Sequence, residues 1–258
     1  MENQKCISSV CATVLKMLGV DVPGEIDTPN EEILKFAGKV DKVVLYNPDA
    51  VAWWLYEKYP QYFDAAKACS TLCTRLTSVM PCVTPVCFAS MYTGVMPEKH
   101  GIQKYEKPVL TVDTMFDYLI RAGKKAAIVS SEGDSISKIF LERNMDYYIY
   151  STKFMVNFKA EQLIKSGEYD VIVIYNGDYD TAMHATGPES KKSLAHLQQN
   201  LKTYDKLVKL IKKTYTDKKV FYGFCPDHGC HEIDGGRGSH GLDMEEDMNV
   251  IHFYGVNR

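Results

Sequence analysis

YDVIVIYNGDYDTAMHATGPES, residues 169–190, is the stretch that decides how this chain is built. Its first part, YDVIVIYNG, reads as a strand, and behind it come Asp180 and His184, four residues apart. At that spacing one turn of backbone aims a carboxylate and an imidazole at a common point. Chemistry-bearing side chains directly after a strand suit an open α/β sheet, which gathers its ligands beyond the carboxyl ends of its strands. Working outward, the same pattern of strand giving way to loop or helix recurs at LYNPDAVA (45–52), TPVCFASMYTG (84–94) and PDHGCHEIDGGRGSHG (226–241).

PDHG places Asp227 and His228 side by side after the apolar run VFYGFC. Adjacent side chains diverge on a strand, so both serve one ion only where the backbone breaks, and Gly229 is the expected break. GSHG adds His240 between small residues, with room for the imidazole to approach a metal. Carboxylate and imidazole together suit zinc or manganese better than calcium or magnesium. Thr84, followed by Pro85 and VCFASMY, reads as the N-cap of a buried helix with proline at the first helical position. A hydroxyl there faces unpaired amides and the positive end of the helix dipole, which also makes it a candidate nucleophile toward phosphate.

These segments resemble the alkaline phosphatase superfamily, in particular its nucleotide pyrophosphatase/phosphodiesterases, with phosphoglycerate mutases and phosphopentomutases as further relatives. TPVCFASMYTGVMPEKHGI (84–102) looks like the segment in which a threonine nucleophile precedes a helix, a Thr-Gly and a Pro-x-x-His-Gly-Ile turn. DTAMHATGP, PDHG and SHG look like the family's three later ligand motifs, in the same order. The resemblance spans about residues 40–255. It implies one divalent ion held by Asp180, His184 and His240. A second would be held by Asp227, His228, Thr84 and an aspartate from the first strand. That last ligand is Asp49, followed by Ala50, or else Asn47 if the strand stops early.

Length and composition fit one domain over residues 1–258, at 45% hydrophobic and 11% aromatic, and because 101–169 reads as ordinary αβ units the expectation is a catalytic domain without a large cap. A net charge of −3 gives no case for a nucleic-acid polymer as partner. The amino terminus does not read as a signal peptide and no apolar run reaches the length of a membrane span, so the expectation is a cytoplasmic protein with no membrane partner. Its eight cysteines show no paired CxxC pattern and are expected to be reduced thiols, with Cys69 and Cys73 on one helix face.

Strands are expected at 41–47, 125–130, 146–150, 169–177, 219–225 and 249–255. Helices are expected at 7–18, 29–38, 50–59, from 84 onward, and at 113–123, 135–143, 155–166 and 193–215. This alternation implies an α/β fold, a three-layer α/β/α sandwich around a mostly parallel sheet with an alkaline phosphatase-like core. Lys104, Tyr105, Lys107, Tyr179, His231 and Arg237 are candidates to line the site. The expected activity is a two-metal-dependent phosphohydrolase acting through Thr84 and a phospho-enzyme, with zinc, or else manganese, as cofactor and a small phosphorylated substrate such as a nucleotide. A phosphomutase or phosphotransferase, a phosphonate hydrolase and a non-catalytic metal-binding relative are the alternatives.

Overall fold

The structure is a computed structural model, described here for residues 5–257. Its elements run α1 (Ser9–Met17), α2 (Glu31–Ala37), β1 (Lys42–Pro48), α3 (Trp53–Lys58), α4 (Asp64–Cys69), β2 (Leu72–Thr77), α5 (Thr84–Thr93), α6 (Pro97–His100), α7 (Met115–Arg121), β3 (Ala126–Ser131) and α8 (Ile136–Ile139). They continue with β4 (Asp146–Tyr150), α9 (Lys153–Ser166), β5 (Val171–Asn176), α10 (Asp178–Thr186), α11 (Lys191–Thr214), β6 (Val220–Phe224), β7 (His231–Ile233), β8 (Arg237–Ser239), α12 (Glu245–Met248) and β9 (Asn249–Val256).

Seven strands form one sheet in the order β2-β9-β6-β1-β5-β3-β4. β1 pairs in parallel with both β5 and β6, and β3 pairs in parallel with β4 and β5. Only β9 runs against its neighbours β6 and β2. Both faces are covered, which is why the central strands read as continuous apolar runs. Alternation sorts their side chains into two cores. Val43 and Leu45 of β1 pack with Val86, Phe88 and Phe116 on one face, whereas Val44 and Tyr46 pack with Leu201, Tyr204 and Val208 on the other. The expected three-layer α/β/α architecture is therefore present, and no helix is long and apolar enough to cross a membrane among the described residues.

Several expectations shift. The helix expected over 50–59 is only Trp53–Lys58, because Ala50 takes a left-handed conformation at φ 63° and ends the extended segment before the helix begins. The helix expected near 135–143 shortens to α8. Cys69 and Cys73 do not share a helix face: Cys69 closes α4, and Cys73 lies exposed on β2, an edge strand. β2 and the small β7–β8 hairpin are strands that the reading of the sequence did not anticipate.

Candidate metal centre

The carboxyl ends of β1, β5 and β6 deliver the candidate residues to one edge of the sheet. Asp49 follows β1, Asp180 and His184 lie on α10 just after β5, and Asp227 and His228 follow β6. His240 comes one residue beyond β8, and Thr84 opens α5. All seven meet in two adjacent groups. In the open group, the Asp180 carboxylate approaches His184 Nε2 at 3.3 Å and His240 Nε2 at 3.4 Å, while those two nitrogens are 3.0 Å apart. In the buried group, His228 Nε2 lies 3.3 Å from Asp49 and 3.4 Å from Asp227. The rings of His228 and His240 stack at 4.1 Å and join the two groups.

Sequence left Asp49 and Asn47 as competitors, and their surroundings differ sharply. Asn47 gives its amide to the Cys225 carbonyl at 2.7 Å and accepts from the Tyr92 hydroxyl at 2.7 Å, so its polar groups are used inside the core. Asp49 faces Thr84, whose hydroxyl lies 3.3 Å from its Oδ2 and 3.4 Å from His228 Nε2. Tyr175 donates a short hydrogen bond to the same Asp49 oxygen.

The reading of Thr84 as N-cap needs correcting. Val83, extended at φ −130°, is the N-cap and Thr84 is the first helical residue. The hydroxyl makes no capping bond and points to Asp49 and His228 instead, which frees it for other chemistry. Gly229 also acts differently from expectation: it admits a close approach, because a Cβ there would sit 2.0 Å from the Glu246 carbonyl. Gly238 does the same for the hairpin, where a Cβ would collide with Met183 of α10 at 2.2 Å. That contact places the Gly238 carbonyl to receive His184 Nδ1 at 3.0 Å.

Each imidazole is oriented in the same way. His184 Nδ1 meets the Gly238 carbonyl, His228 Nδ1 the Gly229 carbonyl at 2.9 Å, and His240 Nδ1 the Cys82 carbonyl at 2.7 Å. A carbonyl only accepts, so Nδ1 carries the proton and the Nε2 lone pair is left for another partner. Three buried carboxylate oxygens, Asp49 Oδ1, Asp180 Oδ1 and Asp227 Oδ2, have no hydrogen-bond donor. Lone pairs crowded together without donors repel, and a cation is the species that satisfies them all. The residues therefore fit two metal sites, Asp180–His184–His240 and Asp49–Asp227–His228.

Titration behaviour reflects the same crowding. Burial and then the charge of Asp180 push the Asp49 carboxyl up to about 7. Burial and then Asp49 hold Asp227 well above the carboxylate range. Burial and the neighbouring His240 push His228 down to about 3. Asp180 goes the other way: against the cost of its burial, the neighbouring His184 and His240 imidazoles hold it below its ordinary value.

A cleft of about 380 Å³ opens from Asp49, Thr84 and Asp180. Tyr105 and Lys107 line it as anticipated. Tyr179 does not: it is fully buried and donates to the Pro188 carbonyl. Lys104 pairs with Glu106, Arg237 is exposed on the hairpin, and His231 bonds Asp247 at 2.7 Å. The Asp247 carboxylate also accepts from Leu242 N at 2.8 Å, tying the segment after His240 to the start of the hairpin. Tyr175, Ser131, Asp134 and Lys153 line the cleft and were missed. Ser131 ends β3, so the strand-end rule that found the metal residues would have found it too.

A family model described as type I phosphodiesterase / nucleotide pyrophosphatase matches residues 43–117, a span that contains Asp49 and Thr84. Similar solved structures include murine ectonucleotide pyrophosphatase/phosphodiesterase 5, at TM-score 0.61 and 16% identity over 75% of this chain and 58% of that one. The fold is that of the alkaline phosphatase superfamily. The human form of the same protein matches at TM-score 0.60 and 19% identity, over 75% of this chain and 58% of that one. An inactive threonine-to-alanine variant of the murine protein, solved with AMP, matches at 0.60 and 17%, over 76% and 59%. Phosphonoacetate hydrolase from Sinorhizobium meliloti, with phosphonoformate, matches at 0.55 and 14%, again over 76% and 59%. The chain thus spans less than three-fifths of the length of these structures. A comparison with curated proteins by sequence gives no match.

Proposed function

We propose that this chain is a two-metal-dependent phosphoric ester hydrolase, a single catalytic domain without a large cap, with Thr84 as its nucleophile. One observation carries the reading: three histidine Nε2 atoms and three donorless carboxylate oxygens gather in two adjacent groups, one of which meets the hydroxyl of a threonine that caps nothing. Asp180, His184 and His240 would hold one ion, and Asp49, Asp227, His228 and Thr84 the other. Zinc suits this mixture of imidazole and carboxylate, with manganese as the second choice. When bound, two such ions neutralise the charge on the transferring phosphoryl group and activate oxygen nucleophiles.

The chain's own residues supply the rest. Thr84 sits at the first position of a ten-residue helix, where the dipole favours a phosphate's negative charge. Its oxygen attacks phosphorus in line, its proton passes to Asp49 Oδ2, and the leaving oxygen departs with the electron pair of its bond to phosphorus and takes a proton from solvent. Tyr175 donates to that same Asp49 oxygen and fixes its orientation. The phosphothreonine is then opened by water, which returns the hydroxyl. The family-model match and the AMP bound to a structural neighbour support a small phosphorylated substrate, a nucleotide among the candidates.

The test is Thr84→Ala in zinc- and manganese-loaded protein, screened against phosphomonoesters, phosphodiesters and phosphonates. Turnover falls by at least about 10³-fold while the metal content stays near wild type. Wild-type rates in Thr84→Ala would hand the attack to water and remove the covalent intermediate.

A further inference from the structure

The cleft has a second wall that the phosphoryl chemistry does not use. It is made by the end of β3, the turn after it and the start of α9. Ser131, the last residue of β3, is 8% exposed, and its Oγ has no hydrogen-bond partner. A buried hydroxyl in that state is costly unless a ligand completes it.

Beside it, Asp134 accepts from Ser130 Oγ at 3.3 Å, Ser131 N at 3.1 Å and Lys153 Nζ at 2.8 Å. All three bonds end on Oδ2, which leaves Oδ1 to accept from a ligand. The Lys153 ammonium also lies 5.1 Å above the Tyr175 ring, whose hydroxyl holds Asp49. The wall therefore adjoins the end of the cleft where Tyr175 holds Asp49.

Its chemistry selects among substrates. Donors and acceptors alternate: a serine hydroxyl, a carboxylate oxygen, an ammonium. A fatty chain finds no aliphatic lining here, and a planar base finds both aromatic rings of the cleft covered by an ammonium, Tyr175 by Lys153 and Tyr105 by Lys107. A second anion would meet Asp134 and Asp178, and the Lys153 ammonium is already paired with Asp134. Hydroxyl groups, which both donate and accept, match every group present.

We propose that Ser131, Asp134 and Lys153 form a leaving-group subsite for a polyhydroxylated unit, so that the substrates are phosphoesters of a sugar or polyol. This rests on the phosphohydrolase reading of the neighbouring site. Ser131 and Asp134 are specificity residues and take no part in the bond exchange.

The experiment compares two ligands that each carry a six-membered ring, the polyhydroxylated glucose 1-phosphate and the bare cyclohexyl phosphate. Both are titrated calorimetrically into the zinc-loaded full chain carrying Thr84→Ala, so that neither turns over. Glucose 1-phosphate binds roughly tenfold tighter, the worth of one or two net hydrogen bonds. Adding Ser131→Ala or Asp134→Asn, both close to isosteric, brings the ratio of the two affinities toward one. Binding of both ligands with a ratio that neither substitution moves overturns the subsite alone. Failure of both phosphates to bind overturns the phosphoryl site and the subsite together.

Discussion

Two parts of the interior use the same residue types in opposite ways. Behind the sheet, His100 accepts from Ile102 N at Nδ1 and meets Ser90 Oγ with Nε2, at 3.2 and 2.9 Å. His252 likewise uses both nitrogens, Nδ1 with the Tyr254 hydroxyl at 2.6 Å and Nε2 with the Pro226 carbonyl at 2.8 Å. At the strand ends, His184, His228 and His240 each give Nδ1 to a carbonyl and keep Nε2 for the shared centre. Asn47 and Asp49, two residues apart, repeat the contrast. What separates a structural polar group from a candidate ligand in this protein is whether its bonding capacity is already used. Burial does not separate them, since His228 and His252 are both 0% exposed.

The contrast breaks most visibly at Asp49 and Asn47. Asp49→Ala takes the metal content from two ions toward one and abolishes activity, sparing the ion at Asp180, His184 and His240. Asn47→Ala keeps both ions but loses on the order of 2 kcal/mol of stability, because the Cys225 carbonyl and the Tyr92 hydroxyl lose a buried partner. Native mass spectrometry and urea unfolding of both variants read the two effects, and the reverse pattern would move the ligand role to Asn47.

The histidines sharpen it at smaller magnitude. His184→Ala weakens metal binding with little change in the stability of metal-free protein, since that ring is half exposed. His100→Ala costs on the order of 1–3 kcal/mol and leaves the metal content at two. Equal stability losses in the two variants would erase the distinction.

A further effect is in acid. Burial lowers His100 and His252 from 6.5 to about 4 each. Both are neutral when folded, so between pH 6.5 and 4 the unfolded chain takes up protons that the native one refuses. Stability is fully present above 6.5 and falls through that window, by on the order of 1 kcal/mol per pH unit for each histidine. Histidine NMR titration with urea midpoints at pH 7 and 5 checks this, and two midpoints near 6.5 would assign any loss to other groups.

Much of the site was legible because its residues sit where continuous apolar strands stop, and that signal survives without alignment. DTAMH and PDHG each mark such an end, whereas SHG follows the short polar strand β8. The layered fold followed from the same strands. What was hidden depends on packing between distant segments. β2 carries Arg75 and two threonines on a sheet edge, so its pattern looks unlike a buried strand. The place of Thr84 turned on which residue bends the chain into α5, a one-position choice that Pro85 leaves open. The wall of Ser131, Asp134 and Lys153 comes from β3, its turn and α9, and no local spacing joins them.

In the proposed function the unspent groups at the strand ends hold two cations. Anomalous diffraction from zinc-soaked crystals, recorded at the zinc edge, tests it directly. Two peaks about 4 Å apart are expected, one bound by Asp180, His184 and His240 and the other by Asp49, Asp227 and His228. A single peak, or peaks remote from Asp180 and Asp227, would contradict it.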